Sequence, residues 1–584
     1  NGTDKLFFYF NYNGILQTAS AIVGLGSGPN YNVPQDAWWK GDFSQLLKID
    51  PVKYTIYDPR SAQMVNGHVV RTPFPGNQVP ILNPMVKAYQ ALYPHANNVP
   101  GIVTADGLGG YFAGNMPYVT TYNQGMNRID YNISQNHRIF AKWFYSRADY
   151  NSADWTYESD PGLMSSAVMR QGRGITANYV WTISNSTIMS VTAGVSSYNE
   201  GSTNKMQTAF KPSDVGLPTY LDDQAGGLHT LPTLTFGSGG TQGIGTTYPA
   251  ITKGNSGSSS LGFVSVLSKH SLKYGWEERR YWKAAPATGY TSGTFGFNNS
   301  YVRAADNTTT AANWGLDFAS FLLGVPSSIS ITTPDSGYWS SPMRAFYVQD
   351  DWHPSKRLSV NLGLRFEHTG GITERRNRGI AGQFVYDADL PYASAVEAAY
   401  ALNPIPELPA SMFKVSGGIN YLGEPYKTFT DGTNRFMPRV GFAYQLGSKT
   451  VLRAGYGWFD NVLNVNEVTP SSTFGFSQPT STTVSSNNGL GFCCGVGDAG
   501  ALSSQLNVLT DPFPVQANGT RFIAPYRDSL GTAALSGQGF TSYPRDYSPA
   551  RQQRWSVSLQ RQLGKEMMVQ VSYNASYAWV PPYQ

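Results

Sequence analysis

The sequence predicts an all-β protein, a transmembrane antiparallel β-barrel with long loops at one end, and three observations lead to this prediction. Charged residues make up only 14% of the 584 residues, and aromatic residues make up another 14%. Soluble proteins usually carry ~25% charged residues. The longest apolar run, around Phe318–Val325, is far shorter than the ~18 residues of a membrane helix. Apolar residues instead alternate with polar ones in strand-length segments, which suits a barrel with one lipid-facing surface and aromatic girdles.

Strand pairs joined by short polar turns recur six times along the chain. Each strand has the ~9–11 residues that cross a bilayer at a tilt. With the single strand Lys5–Asn13 the count is about 13, and a weaker pair within Gly293–Tyr301 and Ser327–Thr333 would raise it to about 15. The six predicted turns are Ser134–His137, Ser184–Thr187, Ser268–Ser271, His353–Arg357, Leu446–Lys449 and Gln562–Glu566.

Alternation is clearest in the segment Leu358–His368. Every second residue from Leu358 to Phe366 is apolar, whereas the residues between them are polar, small or charged. We therefore expect Leu362 to face lipid and Arg365 to face the opposite side. A secreted β-sandwich or propeller shows similar alternation, so this pattern alone does not decide between the two classes.

Loop lengths favour the membrane barrel. The six turns have about 4–5 residues, whereas the links between hairpins run far beyond the ~2–6 residues usual in compact domains. Outer-membrane barrels have this asymmetry, with short turns in the periplasm and long loops outside the cell. We predict that the short turns share one rim and that the long extracellular loops share the other: 14–126, 200–258, 369–435 and 461–553.

The residues that usually carry catalysis or metal binding do not occur at workable spacings, so the sequence predicts neither an enzyme nor a cofactor. Asp350 and Asp351 are adjacent in a strand, which places their carboxylates on opposite faces. His137, His270 and His353 occupy predicted turns, where solvent exposure is expected, and no zinc-binding spacing occurs.

The remaining motifs are weak as well. Gly24–Gly28 has the glycine spacing of a dinucleotide loop, but Pro29 follows where a helix would have to start, so we expect a loop. Cys493 and Cys494 are either a vicinal disulfide or two thiols, and alone they cannot form a zinc site. The net charge of +5 shows no basic cluster and does not indicate nucleic-acid binding.

Strand parity predicts a set of charged residues that face the barrel lumen. Water and a plug can solvate charges there, whereas each charge would cost ~2–4 kcal/mol at the midplane of the lipid face. Pairing with one another or with a plug is the plainer expectation, and direct contact with substrate is the alternative. The lumen-facing candidates are Arg128, Asp130, Arg138, Lys142, Lys273, Glu277, Arg365, Glu367, Arg439 and Arg453.

A series of short motifs, in order along nearly the whole chain, resembles the barrel of Oar-like TonB-dependent transporters. No single motif is diagnostic, but their order and spacing are specific. The motifs are Lys5–Gly14, Gly41–Ser44, Tyr57–Pro59, Pro73–Pro80, Arg128–Asn132, Asn136–Lys142, Lys269–Gly275, Ser320–Gly324, Tyr347–Trp352, Leu362–Arg365, Pro438–Tyr444, Arg453–Gly457, Trp555–Arg561 and Val571–Ala575.

This resemblance implies a barrel of roughly 22 strands in the bacterial outer membrane, preceded by a plug and energised by the TonB system. The chain departs from that pattern because it starts at the first barrel strand and ends several strands early. We therefore expect a partial chain whose plug, and hence its contact with the TonB system, lies outside this sequence.

The implied partners are outer-membrane lipid and an unknown large ligand, a peptide or an oligosaccharide, at the extracellular loops. Two rivals remain: a structural or adhesive barrel without active transport, and a secreted glycan-binding β-protein.

Overall fold

The fold is that of a computed structural model of the chain. Structural statements below concern the residues that it describes, and these are 5–23, 31–97, 111–112, 114–151, 154–156, 158–161, 163–164, 167–203, 205–246, 251–376, 378–379, 381–423, 428–461, 465, 475–493, 506, 508–534, 536, 545–546 and 550–579.

One large sheet dominates the fold, and we call it the wall. It contains fourteen strands, of which thirteen are long and pair antiparallel with their chain neighbours, while the short Thr373–Glu374 pairs at one edge. The predicted all-β, antiparallel class is confirmed. The long strands are β1 (Leu6–Val23), β2 (Gly114–Asn132), β3 (His137–Asn151), β4 (Ala167–Ser184), β5 (Thr187–Thr203), β6 (Thr252–Leu267), β7 (His270–Ala285), β8 (Gly337–Ser355), β9 (Leu358–Thr369), β10 (Thr433–Gly447), β11 (Thr450–Asp460), β12 (Arg551–Leu563) and β13 (Met567–Trp579).

All six predicted short turns join consecutive wall strands at the same rim, and every long connection lies at the opposite rim. The strands are longer than predicted, because β1 continues to Val23 and β2 begins at Gly114. Both ends of the predicted loop 14–126 are therefore strand. Pairing beyond the ~9–11 residues that cross a bilayer lets strands project past it, and the Thr-, Ser- and Asn-rich sequence there gives no alternation to reveal this.

The wall has two chemically different faces. Residues opposite each other in a ladder share a face, so the registers carry the alternation from strand to strand. On β9, Leu362 and Leu364 are 45% and 44% exposed on one face, whereas Glu367 on the other is 5% exposed. We call the face with Leu362 and Leu364 the outer face and the opposite face the inner face.

The apolar band on the outer face runs obliquely across the strands. Arg173 on β4 and Arg344 on β8 mark the loop-side boundary of the band. The chain of paired residues that starts at Arg173 ends on β8 at Ser340, so the boundary on β8 lies four residues closer to the short turns. Trp181 on β4 and Trp352 on β8 mark the turn-side boundary. The chain of paired residues from Trp181 ends on β8 at Val348, again four residues before the boundary residue.

Both boundaries of the band thus shift equally across four ladders. With ~3.3 Å per residue and ~4.8 Å between strands, the band is tilted by about 35° and is about 22 Å high. Both values fit a membrane barrel.

The weaker predicted pair is wrong as a part of the wall. Thr294–Phe297 and Ser328–Thr333 do pair with each other, but they belong to a separate four-stranded sheet with Thr233–Phe236 and Gln478–Thr482. Their apolar side chains, such as Phe295 at 0% exposure, are fully buried. Such short strands could not span a bilayer, and they pack instead within the loops.

The long connections are not separate loops but share a hydrophobic core, which we call the loop core. Residues of five connections pack together, and the helix Leu316–Leu323 lies inside with every residue buried. Trp39 packs edge-on against Phe318 with ring centroids 4.8 Å apart. Apart from Asp317 and Ser320 the residues of this helix are apolar on all sides, which is typical of a buried helix and explains the apolar run in the sequence.

A second, smaller core joins the wall to the remaining connection. Trp339 on β8 is fully buried against Phe429, which follows β9 along the chain. Ile372 and Val465 complete its centre. The connection between β9 and β10 is therefore fixed to the rim of the wall.

The other elements are short. Among the described residues, no helix is both long and apolar enough to cross a membrane. The remaining α-helices are Ser44–Leu47, Pro51–Tyr54, Val86–Gln90, Met206–Ala209, Tyr220–Ala225 and Ala393–Ala401. The 3-10 helices are Trp38–Lys40, Pro59–Ser61, Pro75–Asn77, Pro212–Val215, Gly226–Leu228, Val508–Thr510 and Gly531–Ala533. Three further pairs of short strands are Tyr31–Asn32 with Tyr111–Phe112, Gln63–Val65 with His68–Val70, and Ala381–Val385 with Gly418–Tyr421.

The loop core should be less stable at neutral pH than at acidic pH, because it contains the buried carboxyl group of Asp317. Thr241 and Phe318 donate hydrogen bonds to this group, yet burial raises the pKa of Asp317 from 3.8 to about 7. A raised pKa means that its stabilisation is complete below pH ~4 and is lost as the pH rises through ~7.

Hydrogen exchange of the helix Leu316–Leu323, corrected for intrinsic rates, should therefore show falling protection between these pH values. Asp317→Asn should flatten the dependence, whereas Asp223→Asn, at an exposed position of the same loops, should not. A slope that persists in Asp317→Asn would assign the effect to another group.

Candidate functional site

The inner face of the wall is the candidate functional surface, because all ten predicted lumen-facing residues lie on it. One unbroken row of paired residues runs from Asp130 on β2 to Glu277 on β7 and Glu367 on β9. Five of the other candidates stand at even spacings from this row on their strands, and ladder pairs that start from Gly363 and Ser359 on β9 place Arg439 and Arg453 on the same face. That this face lines a lumen stays a prediction.

Three of the candidates form one ion-pair cluster. The Arg365 guanidinium lies 3.1 Å from a Glu277 carboxylate oxygen and 2.9 Å from Glu367. Arg279 contacts the same Glu277 carboxylate from its own strand. Since Glu367 is buried, removing Arg365 would leave a desolvated carboxylate without its cation, which is costly.

A groove of about 700 Å³ lies beside this cluster on strands β9 to β13. Its aromatic wall is Phe459, with the guanidinium carbons of Arg439 and Arg554 at 4.6 and 5.1 Å from the ring centroid. Glycines form its floor, and a Cβ atom at Gly457 would lie 3.2 Å from both Arg439 and Phe459. Two cations held over one ring, in a groove lined by amides, can bind an anionic or hydroxyl-rich group.

The other candidates are more dispersed. Arg128 forms an ion pair with Asp130 at 2.6 Å and lies over Phe140, 3.9 Å from the ring centroid. Lys273 contacts Asp351 at 3.3 Å. For Arg138, Lys142 and Arg453, no ion pair occurs among the described residues.

Alternate positions along each strand lie on the inner face. By this rule twelve basic and five acidic residues of the described strands lie there, so the face is electropositive. The basic residues are Arg128, Arg138, Lys142, Arg170, Lys273, Arg279, Lys283, Arg365, Arg435, Arg439, Arg453 and Arg554; the acidic ones are Asp130, Glu200, Glu277, Asp351 and Glu367.

Sequence reasoning missed Arg279, Arg554 and Phe459, although all three have the parity of the predicted candidates. The spacing alone could have found Arg279, two residues after Glu277. What the sequence does not show is which side chains meet across strands, since that depends on register.

The two adjacent aspartates diverge, as predicted. Asp351 lies on the inner face with Lys273, whereas Asp350 lies on the outer face, 2.6 Å from the Nδ1 atom of His270.

Two of the turn histidines expected to be solvent-exposed, His270 and His137, are partly exposed in the structure. Each opens a strand and stacks on a tryptophan of the outer face, Trp352 and Trp181 respectively. Aromatic packing at the edge of the apolar band accounts for both positions.

The other weak motifs support no catalytic or metal site. Among the described residues, no group of three or more His, Cys, Asp or Glu side chains could hold a metal ion. Cys493 is disulfide-bonded, and its neighbour Cys494 lies outside the described residues, as does the segment Gly24–Gly28.

Comparison with known proteins identifies the family. The family model for the outer membrane beta barrel domain matches residues 2–579. The chain belongs to this family. The protein is therefore a barrel of the bacterial outer membrane, and we expect its apolar outer face to be the one that contacts lipid.

Solved structures similar to the barrel are transporters and receptors by name. The outer membrane transporter YddB from Escherichia coli has 10% identity and a TM-score of 0.40, over 83% of this chain and 42% of its own. The copper transporter OprC has 9% identity and a TM-score of 0.36, over 80% and 49%. The ferric yersiniabactin uptake receptor FyuA from Yersinia pestis has 8% identity and a TM-score of 0.35, over 80% and 46%.

The chain thus spans less than half the length of each of these three structures. No curated protein sequence matches it.

Removing Arg365 should destabilise the barrel far more than removing Arg453, an arginine of the same face without an ion pair among the described residues. For Arg365→Met we expect about 2–3 kcal/mol, somewhat below the ~3–5 kcal/mol of a fully buried pair. For Arg453→Met we expect about 0–1 kcal/mol.

Urea unfolding in lipid vesicles, followed by tryptophan fluorescence, measures both. Adding Glu277→Gln and Glu367→Gln to Arg365→Met should recover part of the loss. Equal effects of the two single substitutions would contradict the cluster's structural role.

Proposed function

We propose that this barrel imports a large ligand, a peptide or an oligosaccharide, across the outer membrane in a TonB-dependent manner. The ordered motifs that resemble Oar-like transporters support the TonB dependence. The long loops are proposed to be extracellular and to bind the ligand, and the electropositive inner face is proposed to line the path that a plug closes.

The shared loop core is the observation that carries the binding role. Independent loops would have to be ordered at the moment of binding, at a cost in conformational entropy. Five connections packed on one buried helix instead present a preformed surface at a single rim. A large ligand is the kind of partner that such a surface fits.

The edges of the wall support a partial barrel of the roughly 22-stranded kind. Among the described residues β1 pairs only with β2, and β13 only with β12. Unpaired strand edges in lipid cost several kcal/mol for each backbone group. We therefore propose that further strands close the barrel, and that its role is transport rather than catalysis.

Uptake assays on the protein produced from its whole gene test the proposal. The probes are one mixture of fluorescently labelled peptides and one of labelled oligosaccharides, given to cells with and without a functional TonB system. We expect one mixture to bind in both cells and to become protected from an external quencher only when TonB is functional.

Phe318→Asp, inside the loop core, should abolish binding, whereas Leu402→Asp, at an exposed loop position, should not. Protection that is independent of TonB would contradict energised import. Binding without protection in either cell would favour the adhesive barrel, and failure of both mixtures to bind would contradict the ligand class.

A further inference from the structure

We propose that the outer face of strands β3 to β7 binds one anionic, phosphate-bearing lipid from the membrane leaflet on the loop side. The site is a groove between two tryptophan ridges. It is independent of the inner face and of the proposed transport.

The groove consists of two adjoining hollows of about 460 and 400 Å³ that share Ile175, Val195 and Trp282. Trp143 pairs with Ile175 and closes one side, and Trp282 closes the other. The indole of Trp282 lies against Gly257, where a Cβ atom would meet it at 3.2 Å. Because Gly257 has no side chain, the floor of the groove stays open. An alkyl chain makes more van der Waals contacts in such an apolar channel than on a flat part of the wall.

Two arginines stand at the loop-side end of this groove. Arg173 marks the loop-side boundary of the apolar band on β4. From β4 to β8 this boundary moves toward the short turns by about one residue per strand. It therefore crosses β7 within about one residue of Arg280. The two guanidinium groups therefore lie at nearly the same membrane height, where the acyl region meets the head groups.

The charges around the groove leave a basic excess. Glu278 is the acidic residue of the groove lining, and it pairs with Arg344 at 3.4 Å. Neither Arg173 nor Arg280 has a carboxylate within ion-pair distance among the described residues. Lysine and arginine on a lipid face cost ~2–4 kcal/mol at the midplane but only ~0–1 kcal/mol near the interface, where an anion can also reach them.

The combination selects the occupant. A lipid phosphate would lie at the height of the two arginines, and its acyl chain would run toward the membrane centre along the groove. A soluble anion would use the arginines but not the hollows, and an uncharged lipid would use the hollows but not the arginines. Guanidinium groups bind phosphate oxygens through charge-assisted hydrogen bonds.

Native mass spectrometry of the purified full-length protein in a non-ionic detergent tests the site. The probes are dimyristoyl phosphatidic acid, the phosphatidylcholine with the same chains, and inorganic phosphate. We expect one phosphatidic acid to bind at least about tenfold more tightly than phosphatidylcholine, as one strong charge-assisted contact allows.

The variant Arg173→Gln/Arg280→Gln should lose this preference, and Ala193→Phe, which fills the floor, should weaken both lipids. The control Arg551→Gln/Arg561→Gln removes the same charge from the outer face of β12, away from the groove, and should change neither. Equal binding of the two lipids to the unaltered protein would overturn the proposal. An equal loss in the control would do so as well, and so would displacement of phosphatidic acid by an equal concentration of inorganic phosphate.

Discussion

The structure depends on one constraint: within the hydrocarbon layer every backbone N–H and C=O group must find its partner inside the protein. Water is absent there, and each unpaired group costs several kcal/mol. The wall meets the constraint with twelve consecutive antiparallel ladders between β1 and β13. Because the side-chain period of a strand is two, the same ladders separate the apolar outer face from the charged inner face.

The slanted band shows how far this constraint determines the wall. Its two boundaries shift by the same four residues between β4 and β8, one marked by arginines and the other by tryptophans. The apolar band therefore keeps a constant height from strand to strand. This means that the apolar residues of each strand are positioned to match one membrane plane, not to match the paired residues of the next strand. The polar groups of the inner face are then free to form ion pairs, as Arg365 does with Glu277 and Glu367.

The wall could be predicted from the sequence because alternation is a local property. This rule predicts the strand Leu358–His368, which the structure extends by one residue to Thr369, and the six turns, and the divergence of Asp350 and Asp351 follows from it as well. The loop core could not be predicted, since it brings together residues as distant as Trp38, Phe318 and Phe513, and no local pattern encodes such contacts. Arg279 could have been found from its spacing to Glu277 on the same strand, whereas the contact of Arg554 with Phe459 joins two strands and depends on register.

The central claim is that alternate residues of the wall face lipid. A nitroxide scan tests it most directly, with single labels at each position from Ser359 to Phe366 in a protein whose Cys493 and Cys494 are replaced by serine. In lipid vesicles, oxygen accessibility should alternate with a period of two and peak at Val360, Leu362, Leu364 and Phe366, while a water-soluble nickel complex reaches the intervening positions. Loss of the alternation, or a reversal in which Gly363 and Arg365 show the oxygen maxima, would contradict the account.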